Sequence, residues 1–177
     1  MTMKNKILTS CLVAVLLSLS TAVIYLFANK PKTAYIDMQK VFSSFQMKKE
    51  LESKLTDVEQ HRKNILDSME LHLRIFSGEL DKSKEKDPSQ IKLFNGERED
   101  FFAKQKQFEQ DNSATQQQYM DQVSKQLSQY VNDYGKQKGY EYIFGADGSG
   151  ILMHADDSKN ITEEVTGYIN ERYKGGK

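Results

Sequence analysis

The chain lacks the material for a large core. Its 177 residues include no tryptophan, and hydrophobic types make up only 38%, much of it within the first 28 positions. This composition excludes one big globular domain and fits an extended helical molecule with a small packed head. Proline is nearly missing, at two residues, so little interrupts a helix. The single cysteine, Cys11, lies in the apolar N-terminal segment, so the polar remainder forms no disulfide of its own. A concentrated basic stretch is also missing. Residues 1–32 hold Lys4, Lys6, Lys30 and Lys32 and no acid, which leaves 21 basic against 25 acidic residues in the rest. That slight negative balance argues against nucleic acid as a partner, and mixed charge at this density reads as solvated helix surface.

Signatures of chemistry are absent as well. His61, His72 and His154 are widely spaced and form no His-x-x-x-His pair. His154 with Asp156 and Asp157 reads as exposed residues at a strand end, not a metal cluster. Gly148-Ser149-Gly150 lacks the leading glycine of a nucleophile elbow, because position 147 is Asp. No glycine-rich loop ends in Gly-Lys-Ser/Thr, so ATP is not implied. These residues point away from an enzyme and toward no metal and no cofactor.

What is present begins with a membrane signal. Residues 7–28 carry no charge, a run of 22 that is long enough to span a bilayer. Lys4 and Lys6 favour a cytoplasmic start and export of the rest. The run exceeds an ordinary signal-peptide core, which favours a retained anchor, but Ser20-Thr21-Ala22 offers a cleavage site before Val23. Leu8-Thr9-Ser10-Cys11 has the look of a lipoprotein box, yet its apolar stretch follows the cysteine instead of preceding it.

The middle reads as a helical hairpin. From Val41 to Lys86 the only helix breaker is Gly78, and from Ile91 to Lys138 the breakers are Gly96 and Gly135. The stretch KDPSQ (86–90) between them is a stop-and-restart signal, which predicts two antiparallel arms of roughly 70 Å with the tip near 87–90. Leu51, Leu55, Val58, Ile65, Met69 and Phe76 fall in 4-3 steps if Arg62 and His72 occupy two seam positions. Phe94, Phe101, Phe108 and Tyr119 keep the same rhythm on the return, and Val123, Leu127, Tyr130 and Tyr134 restart it after a shift. A 3.5-residue repeat predicts a left-handed coiled coil. Residues 104–118 are nearly all polar, so the outer arm is expected to be soft.

The ends of the chain then meet. TAYIDM (33–38) reads as a strand at the root of the outgoing arm. After the returning arm, YEYIF (140–144) and GILMHA (150–155) read as a β-hairpin turning at Asp147-Gly148 and pairing with that first strand. In residues 160–173, Thr162 is a candidate helix cap, and Ile161, Val165, Tyr168 and Ile169 form one apolar face. Three strands and one helix are too little core to stand alone, which predicts an oligomer.

AYIDMQKVFSSF, the long polar hairpin, and GYEYIFGADGSGILMHADDSKNITEEVTGYINERY together resemble the Skp/OmpH family of periplasmic chaperones. Gly139-Tyr140, Ile151-Leu152, Ile161-Thr162 and Asn170 stand at the family's positions, with Asn160 in place of the usual Asp. The resemblance implies an α+β fold: coiled-coil arms on a small β-barrel head shared by a homotrimer. Here the head comprises residues 33–40 and 139–177, the arm 41–138, and residues 1–32 the signal peptide or anchor. It further implies a periplasmic holdase of a Gram-negative bacterium, working without ATP on unfolded outer-membrane proteins. This chain departs from the best-known members in its slightly acidic exported part and in residues 1–32, which attach it to the inner membrane if uncut, whereas theirs are cleaved. Candidate client contacts are Met69, Leu73, Phe76, Leu93, Phe94, Phe101, Phe102 and Phe108; some of these must instead form the arm's own seam. The rival reading is a membrane-anchored coiled-coil adaptor of an envelope complex.

Overall fold

A strand, a long helical excursion and a second strand define the chain path. The computed structural model describes residues 12–22, 25, 30–83, 85 and 87–175. Strand β1 (Thr33–Asp37) leads into a short helix α1 (Met38–Ser44), a break at Phe45, and the outgoing arm α2 (Gln46–Lys82). The returning arm α3 (Pro88–Lys138) is followed by β2 (Tyr142–Ala146) and, after a loop over 147–161 that includes a short 3-10 turn (Asp157–Lys159), by α4 (Thr162–Tyr173).

Local chemistry sets these boundaries. The Asp37 carboxylate accepts from the Lys40 N–H at 2.9 Å and starts α1. At the tip, Asp87 accepts from the backbone N–H and the hydroxyl of Ser89, both at 2.8 Å, and Pro88 occupies the first turn of α3. Those bonds favour the charged form and hold the Asp87 carboxyl below its usual range.

Gly139 ends α3 in the left-handed conformation, φ 70°, and the Tyr140 N–H returns to the Gly135 carbonyl at 2.9 Å. This reversal sends β2 back along β1 in the same direction. The strands are parallel, paired from Thr33 with Tyr142 to Asp37 with Ala146, and the whole helical hairpin is their crossover.

The expected β-hairpin over 140–155 is not formed. Among the described residues no strand covers 150–155, and Ile151 and Met153 are 84% and 86% exposed. Two causes are visible. Gly148 and Gly150 both take positive φ, and Asp147 accepts from the Ser149 N–H at 2.9 Å, so the segment coils locally. The second edge of β1 is meanwhile taken by Asn160 and Ile161, whose bridge includes Ile161 N–H to the Tyr35 carbonyl at 3.0 Å. Thr162 is likewise not the cap of α4. The Asn160 side chain accepts its N–H at 3.0 Å, and the buried Thr162 hydroxyl accepts from the Asp37 N–H at 2.9 Å, tying α4 to β1.

The core gathers both ends of the chain. Ala34, Ile36, Val41 and Phe45 pack against Val123, Leu127 and Tyr134 of α3 and Ile161, Val165 and Ile169 of α4. Asn170 accepts from the Gln46 N–H at 2.7 Å and donates to the Ser44 carbonyl at 3.1 Å, so α4 caps the start of α2. The Tyr134 hydroxyl donates to Glu164 and that of Tyr173 to Glu50, each at 2.7 Å. Burial and the Glu164 carboxylate push the Tyr134 phenol well above its ordinary range.

Residues 12–22 are helical and exposed. The rest of the uncharged run over 7–28 lies outside the described residues, apart from Tyr25. Among the described residues no helix is long and apolar enough to cross a membrane.

Candidate functional site

The arms change character from root to tip. At the root, Val123, Leu127 and Tyr134 are buried, and Leu51, Tyr130 and Val131 pack beside them. Further out no residue of α2 is fully buried. From Leu51 outward, half-buried positions of α2 include Leu51, Leu55, Arg62, Leu66, Met69, Leu73, Phe76 and Leu80. Of the expected seam, Leu51, Leu55, Arg62, Met69 and Phe76 are half-buried, Val58 is exposed, and beyond Arg62 the alternate positions slip by one residue. Leu66 and Leu73 face inward, while Ile65 and His72 are exposed. From Arg62 outward the half-buried row steps 4-3 where the expected row steps 3-4, which locally changes the supercoil.

Arg62 explains the slip. Its guanidinium donates to the Asn112 side chain, lies 3.8 Å from Asp111, and sits 5.4 Å above the Phe108 ring. Lys104 approaches the same ring at 5.6 Å. A long cation reaching over an aromatic face substitutes for an apolar layer. On α3 the half-buried row is correspondingly mixed, with Phe94, Glu97, Phe101, Lys104, Phe108, Asn112, Thr115 and Tyr119.

The eight candidate contact residues divide. Phe76 and Phe94 meet edge to face at 5.6 Å across the seam. Met69 and Leu73 are half-buried and line a shallow groove with His72, Glu97 and Asp100; His72 reaches Glu97 at 3.0 Å. Phe108 lies beneath Arg62, and Phe101 is half-buried against Phe102 at 5.4 Å. These six belong wholly or partly to the seam. Leu93 and Phe102 are each more than half exposed.

Sequence reasoning missed three of the open residues. Leu71 and Ile75 are more than half exposed and Ile91 is exposed as well. Leu71 and Ile75 are four apart on the face of α2 opposite the seam, and the cue was there: they break the 4-3 rhythm. With Ile65, Leu93 and Phe102 they put six large apolar side chains in solvent within the outer part of the arm. Ion pairs such as Arg74 with Glu70 at 3.0 Å and Lys63 with Asp67 stand between them. Such a surface is adhesive and wettable at once: separated apolar contacts in a charged field.

Among the described residues no group of three His, Cys, Asp or Glu side chains is placed to hold a metal ion. A family model described as "Outer membrane protein (OmpH-like)" matches residues 32–169. Among solved structures, a candidate outer membrane chaperone (OmpH-like) from Caulobacter crescentus CB15 aligns with a TM-score of 0.70 at 16% identity, covering 81% of this chain and 86% of that one. At that identity the likeness is one of fold. No curated protein matches the chain.

Proposed function

The chain belongs to the OmpH-like outer membrane protein family, and from that premise we propose that it is a periplasmic holdase that shelters unfolded outer-membrane proteins without ATP. The observation that carries the reading is the set of exposed apolar side chains in the outer arm, interleaved with charge. A holdase must grip many sequences weakly. Adaptable aliphatic and aromatic contacts serve that need, and the polar surround keeps the unloaded arms in solution. The eight candidates named from sequence take part unequally: Leu93 and Phe102 meet clients directly, and the seam residues meet them when the weakly packed outer arm opens.

The working unit is a trimer with a shared β-barrel head. Among the described residues the sheet has two strands, β1 and β2, and the outer edge of β2 has no strand beside it, an open edge that a neighbouring copy can pair with. Tyr142 and Phe144 stack on each other at 6.2 Å while exposed, and Ile151 and Met153 stand in solvent. Neighbouring copies cover these residues. The uncharged run over 7–28, if uncut, holds the trimer at the inner membrane.

Two measurements test this. The protein lacking residues 1–32 is expected to scatter light as a trimer, and Ile151→Ser with Met153→Ser to shift it toward monomer; an unchanged mass for the double variant excludes that segment from the interface. In several-fold excess and without nucleotide, the same protein is expected to keep urea-diluted outer-membrane β-barrel proteins from aggregating. Full aggregation at that excess would favour an anchored adaptor.

A further inference from the structure

A titratable link crosses the seam of the outer arm. His72 Nε2 of α2 lies 3.0 Å from a Glu97 carboxylate oxygen of α3, and the His72 and Phe76 rings are 6.1 Å apart. His72 and Glu97 border the shallow groove of about 330 Å³ that Ser68, Met69, Leu73 and Asp100 also line. Two carboxylates of α3 therefore face the imidazole, and α2 adds no other titratable group to the groove. The nearest charged residues along α2, Glu70 and Arg74, are paired with each other at 3.0 Å. The His72 side chain is 64% exposed, so protons reach it directly from solvent.

The link sits in a weakly held part of the arm. No residue of α2 is fully buried. Gly96 stands beside Glu97 and Gly78 less than two turns beyond His72, each with open space where a Cβ would be, so packing requires neither glycine. A glycine in a helix interior favours local opening. Imidazole is the side chain whose ordinary titration crosses the physiological range. When protonated it is attracted to both carboxylates, and when neutral it keeps only the hydrogen bond to Glu97. Closure of the outer seam is thus favoured below the ordinary imidazole range and relaxed as pH rises through it. The lower limit lies where carboxylates as a class take up protons. Partly exposed ion pairs shift an equilibrium by about two- to fivefold, which matters where the packing beside them is slight, as it is here.

We propose that His72, Glu97 and Asp100 form a proton-operated clasp on the outer arm, closed in mild acid and loosened as the pH rises past neutrality. Its purpose rests on the holdase reading above. Met69, Leu73, Phe76 and Phe94 are half-buried in the seam beside it and meet clients when the arm opens. Protonation withholds those four side chains, whereas Leu93 and Phe102 stay exposed in either state. Acid therefore weakens the grip on a client without abolishing it.

Hydrogen exchange of the full chain, corrected for intrinsic rates, is compared at about pH 5.5 and about pH 8, on either side of the imidazole range. Outer-arm amides of α2 and α3 are expected to gain about two- to fivefold protection in acid, a gain that amides around Val123 and Leu127 at the arm root do not share. His72→Gln, which keeps a hydrogen-bond donor without the charge, is expected to abolish the gain, and His72→Lys to hold the protection at both pH values. The other histidines, His61 and His154, are exposed, and the His72 variants separate their titration from that of the clasp. A gain that survives His72→Gln, or equal protection of the parent at both pH values, overturns the clasp. Capture of urea-diluted outer-membrane β-barrel proteins is expected to fall by a similar factor in acid for the parent and not for His72→Gln; equal capture by the parent at both pH values overturns the coupling to clients. Failure to capture at either pH counts against the holdase alone, because the exchange difference still decides the clasp.

Discussion

Phe45→Ala is expected to lower the unfolding free energy by about 3–5 kcal/mol, the range for emptying an aromatic site in a packed core. Phe45 is fully buried, with the Tyr130 ring at 6.2 Å and the Tyr173 ring at 5.8 Å, both edge-on. It also occupies the break between α1 and α2, in extended backbone at φ −71° and ψ 122°. Its side chain is therefore the wedge that fixes how the outgoing arm leaves the head. The core is small, and the void would lie between α2, α3 and α4, none of which can close on it without moving an arm. A loss this large is a major part of the 5–15 kcal/mol that holds a typical domain together. Urea denaturation followed by circular dichroism measures it. A shift below about 1 kcal/mol would mean that the arm root repacks freely and that Phe45 is not the wedge.

Phe45 also marks where the sequence stops being legible. It sits in FSSFQMK among polar neighbours, and no periodicity singles it out, because its burial arises from α4 returning across more than a hundred residues of chain. The helical hairpin, by contrast, is plain from the scarcity of breakers and the Asp-Pro-Ser restart. So is the meeting of the two ends, which follows from the near-equal stretches 41–86 and 91–138 on either side of the turn. Strand direction is not plain. YEYIF and GILMHA flank an Asp-Gly pair that reads as a hairpin, but whether such a segment pairs with itself depends on what already occupies the neighbouring edge. Here Asn160 and Ile161 hold one side of β1, and the left-handed turn at Gly139 aims β2 along the other. The seam slip has the same character. A heptad count treats Arg62 as a polar fault in an apolar row, whereas its reach to Phe108 and Asn112 makes it a layer of its own and resets the register beyond it.

Leu71→Ser, Ile75→Ser, Leu93→Ser and Phe102→Ser combined are expected to weaken capture of unfolded outer-membrane proteins by about tenfold or more, a change equivalent to roughly 1.4 kcal/mol. All four side chains are more than half exposed, so little packing is lost with them, and the urea midpoint should stay within experimental error of the parent. Removing apolar area that meets a client forfeits about 25 cal/mol per Å² of contact, so even partial burial of four large side chains reaches the tenfold mark. The informative contrast is Phe76→Ser with Phe94→Ser, which breaks an edge-to-face pair inside the seam. That pair should lower arm stability, read by hydrogen exchange in the outer parts of α2 and α3, and should affect capture only through the altered arm. Capture that survives the four exposed changes but falls with the seam pair would relocate the client surface to the inner faces of the two helices. Binding would then require the arm to open, and the polar layer at Arg62 would set how far toward the root that opening could run.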